Sequence, residues 1–195
     1  MRRVLLTGIV ILAFAFSASA QESPIDKGSM IIGGTVYFAS ASGDLYKDAE
    51  DNSQTTMSIN PEFGYFIMPS LMIGMNFEYS KWSWGDDVGT TWLGFGPMVG
   101  YYFNMDASRT EVKGALYPYI KGFFLYETEE DEGADDKGKT TTIGGMAGVN
   151  YMLSDAVALD FGVQFASDSY KYGDADESTS GTRLWVGAGI SAFVY

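Results

Sequence analysis

Residues 58–79 read SINPEFGYFIMPSLMIGMNFEY. Ile59, Phe63, Tyr65 and Ile67, then Leu71, Ile73, Met75, Phe77 and Tyr79, are large and apolar. Between them stand Ser58, Asn60, Glu62 and Gly64, then Gly74, Asn76 and Glu78. Side chains alternate faces every residue along a strand, so this is two strands joined by the Met68-Pro69-Ser70 turn, with one greasy and one polar face. A water-soluble hairpin turns its greasy face inward. Whether that holds here decides what the protein is.

The same period continues outward through the chain. A first strand spans Ser29–Ser40, a second runs from about Thr55 to Ile67, and a third from Leu71 to about Trp84. Five more follow, over Thr91–Asn104, about Ala115–Tyr126, Thr140–Leu153, Ala156–Asp168 and Thr182–Tyr195. The connections after strands two, four and six are Met68–Ser70, Met105–Gly114 and Ser154–Asp155. Those after strands one, three, five and seven are mostly longer and all acidic, with EEDEGADDKGK at the heart of Glu127–Lys139. Short turns at one end and long polar loops at the other are the plan of an outer-membrane barrel. Each strand meets or exceeds the roughly 9–11 residues a tilted strand needs to cross a bilayer. The fold expected is all-β, an eight-stranded antiparallel up-and-down transmembrane barrel.

Composition agrees and excludes much else. The chain has 195 residues, 24 of them Gly, with 15% aromatics, no Cys and no His. No disulfide framework or thiolate metal site is available. A net charge of −13 leaves no basic footprint for nucleic acid. Barrel hydrolases and acyl-transfer enzymes that use His or a Ser/His pair are excluded, and no enzyme or cofactor is expected. Gly64, Gly74, Gly94, Gly96, Gly100, Gly144, Gly148 and Gly162 share the polar face, as a narrow lumen crowded by rings such as Trp92 or Tyr117 requires.

The N-terminus reads as a cleavable signal peptide over residues 1–20. Arg2 and Arg3 precede the apolar run Val4–Phe16, and Ala18-Ser19-Ala20 is an A-x-A site, with cleavage between Ala20 and Gln21. The barrel domain is then residues 21–195.

Three strings resemble a known family: NPEFGYFIMPSLMIGMNFEY, GFGPMVGYYF and LYPYIKGFFLY are similar to the P-x-x-GYF-turn-G and GP-x-x-x-YY-F strings of the outer-membrane β-barrel domain family, the OmpA-like and OprF-like eight-stranded proteins. The resemblance spans about Gly28–Tyr195. It implies an integral outer-membrane protein of a Gram-negative cell and supplies no catalytic residues. It also implies a C-terminal aromatic signal for the barrel-assembly machinery, matched here by Phe193 and Tyr195. Val186, Ala188, Ile190, Ala192 and Val194 make the apolar face of the last strand. Phe193 and Tyr195 thus fall on the opposite parity, and a bulge, a frayed end or a reversed facing is expected there.

With the greasy face in lipid, the lumen receives Asn60, Glu62, Asn76, Glu78, Lys121, Asn150, Asp160 and Gln164. Lys121 is in mid-strand, where a lipid-facing cation costs roughly 2–4 kcal/mol. Counted from the turn end it is level with Glu62 and Asp160, so an ion pair with one or both carboxylates is expected. Tyr65, Tyr101, Phe103 and Tyr151 are placed for one interfacial girdle, and Phe38, Tyr79 and Tyr126 for the other. The acidic loops carry oxygen ligands that suit hard cations, but Asp174-Ala175-Asp176-Glu177 lacks the spacing and glycine of a calcium loop. The one cation role left to them is weak divalent bridging to anionic outer-leaflet lipid. The expected partners are outer-membrane lipid and the assembly machinery, and the expected state is a monomer. The role expected is structural or surface-exposed, through the acidic loops over a largely plugged lumen; the alternative is a small, low-conductance, cation-preferring channel.

Overall fold

In the computed structural model of the chain, residues 23–42, 54–84, 87–105, 111–130, 138–172 and 178–195 are described. They form β1 (Met30–Ser42), β2 (Gln54–Met68), β3 (Leu71–Trp84), β4 (Asp87–Tyr102), β5 (Leu116–Glu130), β6 (Gly138–Met152), β7 (Val157–Tyr172) and β8 (Thr179–Val194). Each strand pairs with the next, and β8 closes on β1, so the sheet is a barrel with every ladder antiparallel. Closure matters because an open edge leaves backbone N–H and C=O groups without partners. The expected signal peptide, with its Ala20/Gln21 site, and most of the acidic loop segments lie outside the described residues.

The greasy face points out. Val186 is 59% exposed and Ile143 64%, while Glu78, Lys121 and Asp160 are all under 5%. A soluble protein has the opposite distribution. An apolar belt around a charged interior is the surface of a barrel immersed in lipid, where main-chain polar groups must find their partners within the protein, as a closed sheet allows. Tyr65, Tyr101, Phe103 and Tyr151 are exposed towards the turn end, and the Tyr101 and Phe103 rings meet edge to face with centroids 5.0 Å apart.

Three details differ from the sequence reading. The strands run further at the loop end: β5 continues to Glu130 and β7 to Tyr172, with Thr128 paired to Lys139 and Tyr170 to Thr140. Glu127, Glu129 and Tyr170 are therefore strand residues, and Asp168 lies inside β7 rather than at its end. Ladder hydrogen bonds use the main chain and are indifferent to side-chain polarity, so a polar stretch continues a strand if its partner does.

The end of β8 also differs, having neither bulge nor fray. Ile31 pairs with Phe193 and Met30 with Val194 in unbroken register. Phe193 points inward and is 2% exposed, and the Tyr195 hydroxyl donates to the Asp155 carbonyl at 2.8 Å. The inward aromatic fits because this end of the lumen is apolar. Register shifts occur instead between Phe66 and Met68 and between Trp82 and Trp84. Finally, the rings nearest to Gly187, to Gly148 and Gly162, and to Gly144 are Tyr37, Tyr119 and Phe123, where the sequence reading named Trp92 and Tyr117.

The turn end is closed by side chains. Ile31, Phe66, Met72, Tyr102, Met152 and Phe193 form a buried floor, with Ile25 from the segment before β1 packed into it. That segment is held by main-chain bonds from Gly28 N–H to Phe66, from Phe66 N–H to Ser29 and from Ser70 N–H to Ile25. The β2–β3 turn places Pro69 before Ser70, whose φ of 68° lies in the left-handed region.

Candidate functional site

All eight residues assigned to the lumen from sequence are buried inside it: Asn60, Glu62, Asn76, Glu78, Lys121, Asn150, Asp160 and Gln164. Their charged members fall into two ionic clusters rather than one network.

The lower cluster stands on the apolar floor. Lys121 Nζ donates to both oxygens of Glu62, at 2.7 and 2.8 Å. It also sits 4.2 Å from the centroid of the Tyr119 ring and 5.6 Å from that of Tyr102. The Tyr119 hydroxyl donates to Asp160 Oδ1 at 2.7 Å. Tyr119 thus presents its face to the cation and its hydroxyl to the second carboxylate. Glycines make the room. A methyl group at Gly162 would lie 2.8 Å from the Tyr119 hydroxyl, and one at Gly148 would collide with it. The Lys121 stem crosses Gly100, its ladder partner, where a methyl would lie 3.1 Å from Lys121 Cγ.

The upper cluster was not foreseen as a unit. Its hub is Arg183, on β8. Nε donates to Asp168 Oδ2 at 2.7 Å and Nη1 to Glu78 Oε1 at 2.8 Å. Nη2 donates to Glu127 Oε1 at 2.9 Å and to Asp168 Oδ1 at 2.8 Å. The guanidinium carbon lies 4.3 Å from the Trp185 ring centroid. One planar fork therefore ties β3, β5, β7 and β8 together across the lumen, a geometry that suits Arg and not Lys. Glu78 and Glu127 flank Gly94 in one ladder row, and a methyl at Gly94 would lie 2.6 Å from Glu127 Cγ. Thr142 adds a hydroxyl between Glu127 and Asp168, and Asn60 Nδ2 reaches Glu78 Oε2 at 3.5 Å. Lys121 and Glu127 are six residues apart on β5, so the clusters are separated by about 20 Å along the strand.

The sequence signal for the upper cluster was parity carried past the expected strand ends. Lys121, Phe123, Leu125 and Glu127 alternate inward without a break, and Arg183 shares the parity of Trp185 and Phe193. Among the inward amides, Asn76, Asn150 and Gln164 make no side-chain hydrogen bond to protein. Asn76 stands beside Glu62 in the ladder, Asn150 beside Asp160, and Gln164 beside Met146 and Trp185. A buried amide without a partner costs ~1–3 kcal/mol, which ordered water relieves. Among the described residues no set of three or more carboxylates is arranged to hold a metal ion; the upper carboxylates converge on a guanidinium instead.

The crystal structure of neisserial surface protein A is similar over 85% of this chain and 99% of its own, at 17% identity, with a TM-score of 0.63. The chain has the fold of the eight-stranded outer-membrane barrels. The solid-state NMR structure of outer membrane protein AlkL in DMPC bilayers matches 90% of this chain and 94% of its own, at 12% identity and a TM-score of 0.50. The N-terminal barrel domain of Pseudomonas aeruginosa OprF matches 86% of this chain and 98% of its own, at 14% identity and a TM-score of 0.47. No protein-family model and no curated protein sequence matches the chain. At these identities the likeness is one of architecture.

Proposed function

We propose that this barrel is an integral outer-membrane protein that acts as a closed, charge-locked anchor, with its loop end as the working surface. The observation that carries this reading is the Arg183 fork. It draws carboxylates from three other strands together across the lumen near its loop end, above an ion pair and an apolar floor. A wall-to-wall side-chain lock stiffens a barrel and obstructs solutes. The reading includes no catalysis, no cofactor and a monomeric state. Its partners are outer-membrane lipid, the assembly machinery engaging Phe193 and Tyr195, and divalent cations that weakly bridge the acidic loops to lipid.

The test is planar-bilayer conductance of the refolded barrel, after a heat-dependent shift on an unboiled gel has verified folding. A silent bilayer supports the closed anchor. A second reading, a low-conductance cation-preferring path, is favoured by the surplus of inward carboxylates over Lys121 and Arg183 and by the unpartnered amides. Reproducible cation-selective steps that change in Lys121→Met would establish it and remove the first.

A further inference from the structure

One hydroxyl in the upper cluster faces two acceptors. Thr142 Oγ1 lies 2.8 Å from Glu127 Oε1 and 2.6 Å from Asp168 Oδ1. A threonine hydroxyl has one proton to donate, and an ionised carboxylate has none. Thr142 can satisfy one of these contacts. The other brings two oxygens to hydrogen-bond distance with nothing between them unless a carboxyl group supplies the second proton.

The surroundings say which carboxyl it is. Asp168 is gripped at both oxygens by the Arg183 fork, at 2.7 and 2.8 Å, the arrangement that favours an ionised carboxylate. Glu78 receives Arg183 Nη1 on one oxygen and Asn60 on the other. Glu127 is bonded to Arg183 through Oε1 alone, the same oxygen that meets Thr142. Three carboxylates thus share one guanidinium. Among the described residues, the elements packed around Glu127 bring no further cation. β4 contributes Gly94, β6 contributes Thr140 and Thr142, and Lys139 and Lys171 on β6 and β7 are exposed. Glu129, bonded to Tyr170 at 2.7 Å, adds another carboxylate on the loop side, and Lys121 is engaged with Glu62.

We propose that the loop-side lock is a proton-binding site: Glu127 is a carboxylic acid in the folded barrel, donating to Thr142 Oγ1, which in turn donates to Asp168 Oδ1. The ligand is a single proton taken up on folding. Its release leaves Glu127 and Asp168 competing for one hydroxyl proton inside a net-negative cluster, so the lock loosens as pH rises. This reading does not depend on whether the lumen conducts.

Infrared spectroscopy of the full chain reconstituted in phosphatidylcholine vesicles tests it. At pH 6, where an unfolded glutamate is ionised, the folded barrel is expected to show a protonated-carboxyl carbonyl band that shifts in D2O. The band should be absent in Glu127→Gln and retained in Asp168→Asn. Urea unfolding in the same vesicles gives a second readout. Because the folded state holds a proton that the unfolded state has released, stability falls with rising pH. The folding equilibrium should weaken by up to tenfold per pH unit in the wild-type barrel and stay flat in Glu127→Gln. If the glutamine variant does not fold, the wild-type band decides alone, being present at pH 6 and lost at high pH while the barrel still shows its heat-dependent gel shift. A wild-type barrel without the band, or a Glu127→Gln barrel that keeps it, overturns the proposal.

Discussion

The two ends of the lumen solve the same problem with different chemistry. At the turn end the one cation serves one carboxylate: Lys121 takes Glu62, and Asp160 is satisfied by a tyrosine hydroxyl. At the loop end a single Arg183 serves Glu78, Glu127 and Asp168. The lower pair also rests on rings and a sealed apolar floor, whereas the upper cluster lies three residues from the end of β5 and just below the loops. The difference teaches that local balance, not the number of ion pairs, sets how each region responds to change. The lower lock sets its one cation against Glu62 and leaves Asp160 to the Tyr119 hydroxyl. The upper one is strained by excess negative charge and depends on one cation.

Arg183→Met should therefore have the largest effect. It leaves Glu78 and Asp168 buried without their cation and Glu127 without its guanidinium donor, and removing one partner of a buried pair costs about 3–5 kcal/mol. The expected outcome is failure to refold, or loss of the heat-dependent gel shift, at neutral pH with partial recovery under acid. Lys121→Met should cost about 3–5 kcal/mol by urea unfolding in vesicles, because only Glu62 loses its principal partner. The Lys121→Met/Glu62→Gln double variant should regain most of that. If the Arg183 variant proves milder than the Lys121 variant, the contrast between the two ends is wrong.

Outside the lumen, Val163→Arg on the exposed face of β7 should cost about 2–4 kcal/mol in lipid vesicles, the penalty for a cation near the bilayer midplane; a neutral effect would mean that this face does not meet lipid. Gly162→Ala should cost about 1–3 kcal/mol, since the added methyl forces the Tyr119 hydroxyl away from Asp160. Tyr119→Phe should be the mildest, about 1–3 kcal/mol, as it keeps the ring beneath Lys121 and removes only the donor to Asp160. If Gly162→Ala is additive with Tyr119→Phe in a double-mutant cycle, the notch does not exist to seat that hydroxyl.

Much of this was legible in the chain. Strand count, order and facing follow from a period of two and from which parity carries charge. The bilayer imposes a single rule along every strand, apolar outward, and each residue obeys it locally. The Lys121–Glu62 pair was legible for the same reason, because both residues are isolated charges at similar distance from the turns. The limits of β5 and β7 were not. Glu127 and Glu129 look like loop residues because polarity is the sequence's only mark of a strand end, whereas the ladder ends where its main-chain partner ends. Phe193 was misjudged by the same logic, since an inward aromatic looks anomalous until the apolar floor around it is seen.

The alternating residues by themselves thus determined an inside-out eight-stranded barrel, because lipid and lumen are sorted side chain by side chain. Only the tertiary structure decided that Arg183 meets Glu78, Glu127 and Asp168, and that Thr142 stands between two of them. Those contacts cross the barrel between strands far apart in the chain. Their meeting depends on the register of every intervening ladder and on the closure of β8 onto β1.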